Sequence, residues 1–166
     1  MPTTCCGISL EAVEEDHALL EQQVRTLDQL LEVASQQAVP EEAVTQALED
    51  LRRYFVRELL DHLRREEATF VPAVESYLPG GYWKAARIRR DHESLRASID
   101  EFRTAFTLAS YVGPETRQSL LWRLIREAQI ILAQLEHHAR FESSLVREFQ
   151  KRPAEPSEKS GSASAE

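Results

Sequence analysis

LWRLIREAQIILAQLEHHARFESSLVREF, residues 121–149, carries Leu121, Leu124, Ala128, Ile131, Leu135, His138, Glu142, Leu145 and Phe149 at alternating steps of three and four. Such steps return a side chain to the same face of an α-helix, so the stretch reads as one long helix with a continuous buried stripe. Two members of that stripe are polar. His138 and Glu142 stand one turn apart, where an imidazole and a carboxylate can address the same point. Burying a carboxylate among leucine and isoleucine costs on the order of several kcal/mol unless a counter-charge or a cation answers it.

The same design recurs upstream. Leu48, Leu51, Phe55, Leu59, His62, Glu66 and Phe70 form a second stripe with its own His-x-x-x-Glu. Two further stripes each hold one histidine. The first runs through Leu10, Val13, His17, Leu20, Val24, Leu27, Leu31 and Ala34, the other through Ala85, Ile88, His92, Leu95, Ile99, Phe102 and Phe106. The chain therefore writes a lone histidine and then His-x-x-x-Glu, twice. His17 precedes His62 by 45 residues and His92 precedes His138 by 46.

Breaks between the stripes are short. Ser9 is a natural N-cap for the first helix. Pro40 with Glu41 and Glu42 opens the second, with proline expected at the first helical position and acids at the positive end of the dipole. Pro79-Gly80-Gly81 and Gly113-Pro114 make the remaining turns. The expected spans are 10–37, 41–77, 82–110 and 115–150. Short links between long helices imply an all-α, up-down antiparallel four-helix bundle. At ~1.5 Å per residue, His17 and His62 lie roughly 30–35 Å from the turn that joins their helices, so the ligand levels match.

At 166 residues with only 5 glycines, the chain reads as one helical domain over 10–150, with a flexible N-terminus over 1–9 and a disordered tail over 151–166. The net charge of −8 argues against a nucleic-acid partner, whose phosphates require a basic face. No apolar run approaches the ~20 residues that cross a bilayer, so no membrane partner is expected. No basic-then-apolar leader opens the chain, which gives cytoplasmic as the expected location. Adjacent Cys5 and Cys6 make a poor structural disulfide. The oligomeric state leaves no mark in the sequence.

Four imidazoles (His17, His62, His92, His138) and two carboxylates (Glu66, Glu142) are enough for a two-metal centre. No stripe position offers a lysine to neutralise the glutamates. A donor set of nitrogen and oxygen without thiolate suits iron, manganese or zinc. Glu21 lies at the edge of its stripe and reads as solvated. His137 points about 100° away from His138 and reads as a flanking group. Asp16, Asp61 and Asp91 each precede a stripe histidine; such acids can orient an imidazole on a neighbouring helix, though a solvated acid is the commoner outcome. Tyr54 reads as core packing. A ferritin-like centre needs two Glu-x-x-His motifs, and only Glu14–His17 supplies one.

Together, His17, HLRREE at 62–67, DHESL at 91–95 and HARFE at 138–142 resemble the hemerythrin-like family of HHE cation-binding domains, over roughly residues 10–150. FVP at 70–72 is similar to the family's segment after its first His-x-x-x-Glu, and Pro72 should bend the helix there. The resemblance implies a pair of non-haem iron ions, oxo- or hydroxo-bridged, with His17, His62, His92 and His138 as terminal ligands and Glu66 and Glu142 as bridges. Oxygen-carrying members place two histidines four apart on the third helix; here Ile88 and Arg96 flank His92. The resemblance thus leans toward iron-centre repair and sensing proteins, whose Cys-Cys-Gly-Gly motif Cys5-Cys6-Gly7 echoes. The implied function is binding of, or reaction with, a small diatomic or peroxide ligand (oxygen, peroxide or nitric oxide), as a diiron oxidoreductase if it turns over. The alternative is an iron-sensing, iron-storing or iron-donating protein without turnover.

Overall fold

Pro40 begins the continuous part of this computed structural model, which describes residues 40–151 and, ahead of them, positions 4, 5, 8, 9, 15, 18, 22, 25, 26, 28, 29, 32 and 33. Thr4–Cys5 (β1) and Ile8–Ser9 (β2) pair antiparallel, Thr4 opposite Ser9 and Cys5 opposite Ile8. The described positions from Glu15 to Val33 are helical and exposed. None of them falls on the stripe read for the first helix. Cys6, Asp16, His17 and Glu21 lie outside the described residues, as does the tail from Arg152.

From Glu41 to Gln150 the described chain is helical apart from short breaks, as expected of an all-α fold. Glu41–Tyr54 (α1), a π-turn at Phe55–Leu59, Leu60–Ala68 (α2) and Phe70–Tyr77 (α3) follow one another where the sequence suggested a single helix. Pro40 sits one place earlier than expected. Its ψ of 143° keeps it outside the helix, and its carbonyl accepts from the Ala43 and Val44 amides.

Two interruptions divide the rod. Pro72 explains the second: it has no N–H to give the carbonyl of Ala68, and its ring crowds that carbonyl. The break falls at Thr69, with φ −125° and ψ −61°. Thr69 compensates by donating its hydroxyl to the Arg65 carbonyl at 2.8 Å. The π-turn left no trace in the spacing, because Phe55, Leu59 and His62 follow steps of four and three that an α-helix also accommodates.

Gly80 takes the left-handed conformation at φ 65°, and Gly81 starts Gly81–Ala109 (α4). A Cβ on Gly81 would lie 2.1 Å from the Val74 carbonyl oxygen, so only glycine lets α3 and α4 meet this closely. Gly113 caps Pro114–Gln150 (α5), with Pro114 in the first turn. Contacts fix the directions. Arg89 meets Glu75 and Arg96 meets Glu67, while Lys84 pairs with Glu148 and Arg117 donates to the Ala109 carbonyl. Successive rods are therefore antiparallel.

Each stripe position named above between Leu48 and Phe149 is buried, except Phe106, which is partly buried against the core. The apolar members split into two clusters. One joins α1, the π-turn, the C-terminal half of α4 and the first half of α5, centred on Leu51, Phe55, Phe102 and Leu124. The other joins α3 to Ala85, Ile88, Leu145, Val146 and Phe149. Between them, in sequence along α2, α4 and α5, fall the buried polar residues His62, Glu66, His92, His138 and Glu142. Among the described residues, no helix is long and apolar enough to cross a membrane.

Candidate metal centre

Three helices supply this polar layer. α2 brings His62 and Glu66, α4 brings His92, and α5 brings His138 and Glu142. Glu66, His92, His138 and Glu142 each present one nitrogen or oxygen, and these atoms all lie within 4.8 Å of one another. The two oxygens of Glu66 face different ways. Oε1 meets His62 Nε2 at 2.9 Å, whereas Oε2 lies 3.3 Å from His92 Nε2 and 3.7 Å from His138 Nε2. Glu142 Oε2 is 3.2 Å from His138 Nε2. Glu66 thus spans from His62 at one edge to the two inner histidines.

The donors fit a cation. His92 and His138 aim their Nε2 atoms at each other, 3.1 Å apart. Two imidazole nitrogens on one metal at right angles stand about 3.0 Å apart when each bond is about 2.1 Å. The two carboxylates concentrate negative charge where water scarcely reaches: Glu66 is 6 % exposed and Glu142 0 %. Burial on its own would lower the pKa of His138. Asp91, Glu142 and Glu66 outweigh it and raise that pKa to about 11. These carboxylates thus hold a positive charge at the centre of the cluster, and a dication would answer the same field.

Each inner imidazole also has an acid on its far side. His92 Nδ1 lies 3.0 Å from Glu67 Oε1, and Arg96 Nη1 donates to that same oxygen at 2.8 Å. The Arg96 hydrogen bond holds the Glu67 carboxyl below its ordinary pKa, with His92 adding to the effect against the opposing pull of burial. His138 Nδ1 faces Asp91 Oδ2 at 3.8 Å, and Arg87 Nε stands 3.8 Å from that oxygen. At that distance Asp91 acts on His138 through charge rather than a hydrogen bond.

A family model described as the hemerythrin HHE cation-binding domain matches residues 9–149. The chain belongs to the hemerythrin HHE cation-binding domain family. Comparison with curated proteins and with solved structures returned no match. For an HHE domain, the expected metal-binding chemistry coincides with the polar layer between the two apolar clusters.

Of the six residues singled out as ligands, the structure brings five into this layer, and His17 lies outside the described residues. His137 flanks the site as expected, exposed and 2.9 Å from Arg87 Nη2. Asp61 pairs with Arg64 at the surface, the solvated outcome. Asp91 takes the less common one, facing an imidazole on the neighbouring helix. Tyr54 is a core ring beside Phe55. Glu67, the last residue of HLRREE, and Arg87 lie off the stripes, and Arg96 is marked in the sequence only as the residue standing where a fifth histidine is missing. The signal for Arg96 was there: it lies one turn after His92, on the same face of α4.

Proposed function

We propose that this HHE domain is a four-helix, non-haem diiron protein, with His17, His62, Glu66, His92, His138 and Glu142 holding two iron ions that bind or react with oxygen, peroxide or nitric oxide. The observation that carries the proposal is the convergence of Glu66, His92, His138 and Glu142 within 4.8 Å, inside a layer walled by apolar clusters. His17, which lies outside the described residues, would complete the set from the helix expected over 10–37.

Bound iron would supply Lewis acidity and a redox couple. The residues do the rest. Glu66 addresses His62 with one oxygen and His92 with the other, so its two oxygens would be available to different metal positions. His92, His138 and Glu142, all at 0–1 % exposure, form the sealed floor. His62 and Glu66, at 6 %, are the least buried members of the layer. Phe70, Ile88 and Leu145 on one side and Leu63, Leu95 and Leu135 on the other keep bulk water away, which strengthens electrostatic interactions within the layer.

The test is metal content per chain on anaerobically purified protein, followed by optical titration with each ligand. Two irons per chain, with content reduced in His62→Ala and Glu142→Ala, are expected. Steady ligand consumption would make the protein an oxidoreductase. A reversible spectral change without consumption would make it a carrier, sensor or store. A folded protein that takes up no added iron would overturn the proposal.

A further inference from the structure

Imidazole binds a metal through one nitrogen only if the proton sits on the other. In a buried site something must hold that proton in place, and the identity of that group decides how well the lone pair is aimed. His92 is fully buried, with Nε2 turned into the carboxylate cluster and Nδ1 turned out toward α2. There it meets Glu67, not one of the six residues assigned to the metals.

We propose that Glu67, itself anchored by Arg96, is a positioning residue: it accepts the Nδ1 proton of His92 and so commits Nε2 to the metal. The inference rests on the metal reading above. The geometry supports it from both sides. The 3.0 Å contact to Nδ1 and the 2.8 Å contact from Arg96 converge on a single oxygen, Oε1. Arg96 follows His92 by one helical turn, so histidine and arginine approach the carboxylate as a rigid pair from the same face of α4. Arg96 satisfies part of the carboxylate's charge and keeps Glu67 directed at the imidazole rather than at the adjacent metal cluster. His138 offers the internal contrast, since Asp91 stands 3.8 Å from its Nδ1. Glu67 therefore orients its histidine more tightly than Asp91 does.

The probe is zinc, a diamagnetic dication, titrated in competition with a chromophoric chelator and read in parallel with ¹⁵N NMR of the histidine rings. Glu67→Ala is expected to weaken zinc binding by about 10- to 100-fold, with Glu67→Gln recovering part of the loss and Arg96→Gln falling between. The NMR signature of His92 should be Nδ1-protonated in the parent and lose that form in Glu67→Ala. Asp61→Ala, a surface change one residue before His62, should leave both readings unchanged. Affinity within about twofold of the parent, with His92 still protonated at Nδ1, would overturn the inference, because orientation by such partners is worth far more than that. A parent that binds no zinc would instead sink the metal reading, and the tautomer of His92 would still report on Glu67. If Glu67→Ala does not fold, the Gln variant and Arg96→Gln decide the question by the same two measurements.

Discussion

His62-x-x-x-Glu66 and His138-x-x-x-Glu142 are the same motif in sequence and different objects in the fold. The second sits in the last third of α5, a helix of 37 residues without interruption, and its side chains are 1 % and 0 % exposed. The first sits on α2, a helix of 9 residues with a π-turn before it and the Thr69 break after it, and its side chains are 8 % and 7 % exposed. Long helical continuity gives His138 and Glu142 a fixed place. Interruptions on both sides of α2 break the regular α-helical pattern, and π-turns are frequent at functional sites. Under the proposed function, this contrast makes one motif the anchor and the other the adjustable edge of the site.

The largest effect should separate the two motifs directly. His138 lies within 3.7 Å of Glu66, Glu142 and His92, and His62 pairs with Glu66 at the edge of the layer. His138→Ala is expected to abolish metal binding, because it removes the nitrogen common to the cluster. His62→Ala should retain about one metal of two, held by the four residues that already converge. Metal content by elemental analysis checks both. Equal loss in the two variants would erase the proposed division into anchor and edge. In chelator-treated protein, His138→Ala should also cost about 3–5 kcal/mol in urea unfolding, since it strips the counter-charge from buried carboxylates.

Much of this was legible beforehand. The alternation of three and four located the buried face of α1, α2, α4 and α5, because apolar burial is periodic and the period is visible in Leu121 through Phe149. His138 and Glu142 were recognisable as interior by the same rule. What escaped was whatever lacks a period. Nothing in Phe55–Leu59 distinguishes a π-turn from an α-turn by composition. Glu67 lies off the stripe, and its importance arises only when α2 and α4 pack with Arg96 facing it. Pairing across helices depends on rotation and height, which a single sequence carries weakly. Asp91 was visible as a neighbour of His92, yet its actual target is His138 on the next helix.

A second effect follows from pH. The folded-state pKa of His138 is raised from 6.5 to about 11 by its carboxylate neighbours. A raised pKa means that the folded protein holds the proton more tightly than the unfolded chain does. That stabilisation is complete below about pH 6.5 and is lost as pH rises toward about 11. Chelator-treated protein should therefore show a urea midpoint that falls across this window, and His138→Gln should flatten the fall. A parent midpoint independent of pH between these values would mean that the second motif holds no such charge.

The smallest effect concerns how the first motif is braced. α2 lacks the long continuous helix that supports His138, so its position depends on α3 being held against α4. Gly81 makes that contact: a Cβ there would stand 2.1 Å from the Val74 oxygen and 2.6 Å from that of Glu75, both backbone atoms that cannot rotate away. Gly81→Ala must push α3 and α4 apart, at a cost of about 1–3 kcal/mol typical of overpacking. The displacement should be felt at His62 and Glu66 before it is felt at His138 and Glu142. Hydrogen exchange read residue by residue should then speed up across 60–77 while 135–146 stays protected. Uniform acceleration along both motifs would show that the two halves of the site share one support, and that the interruptions around α2 do not set it apart.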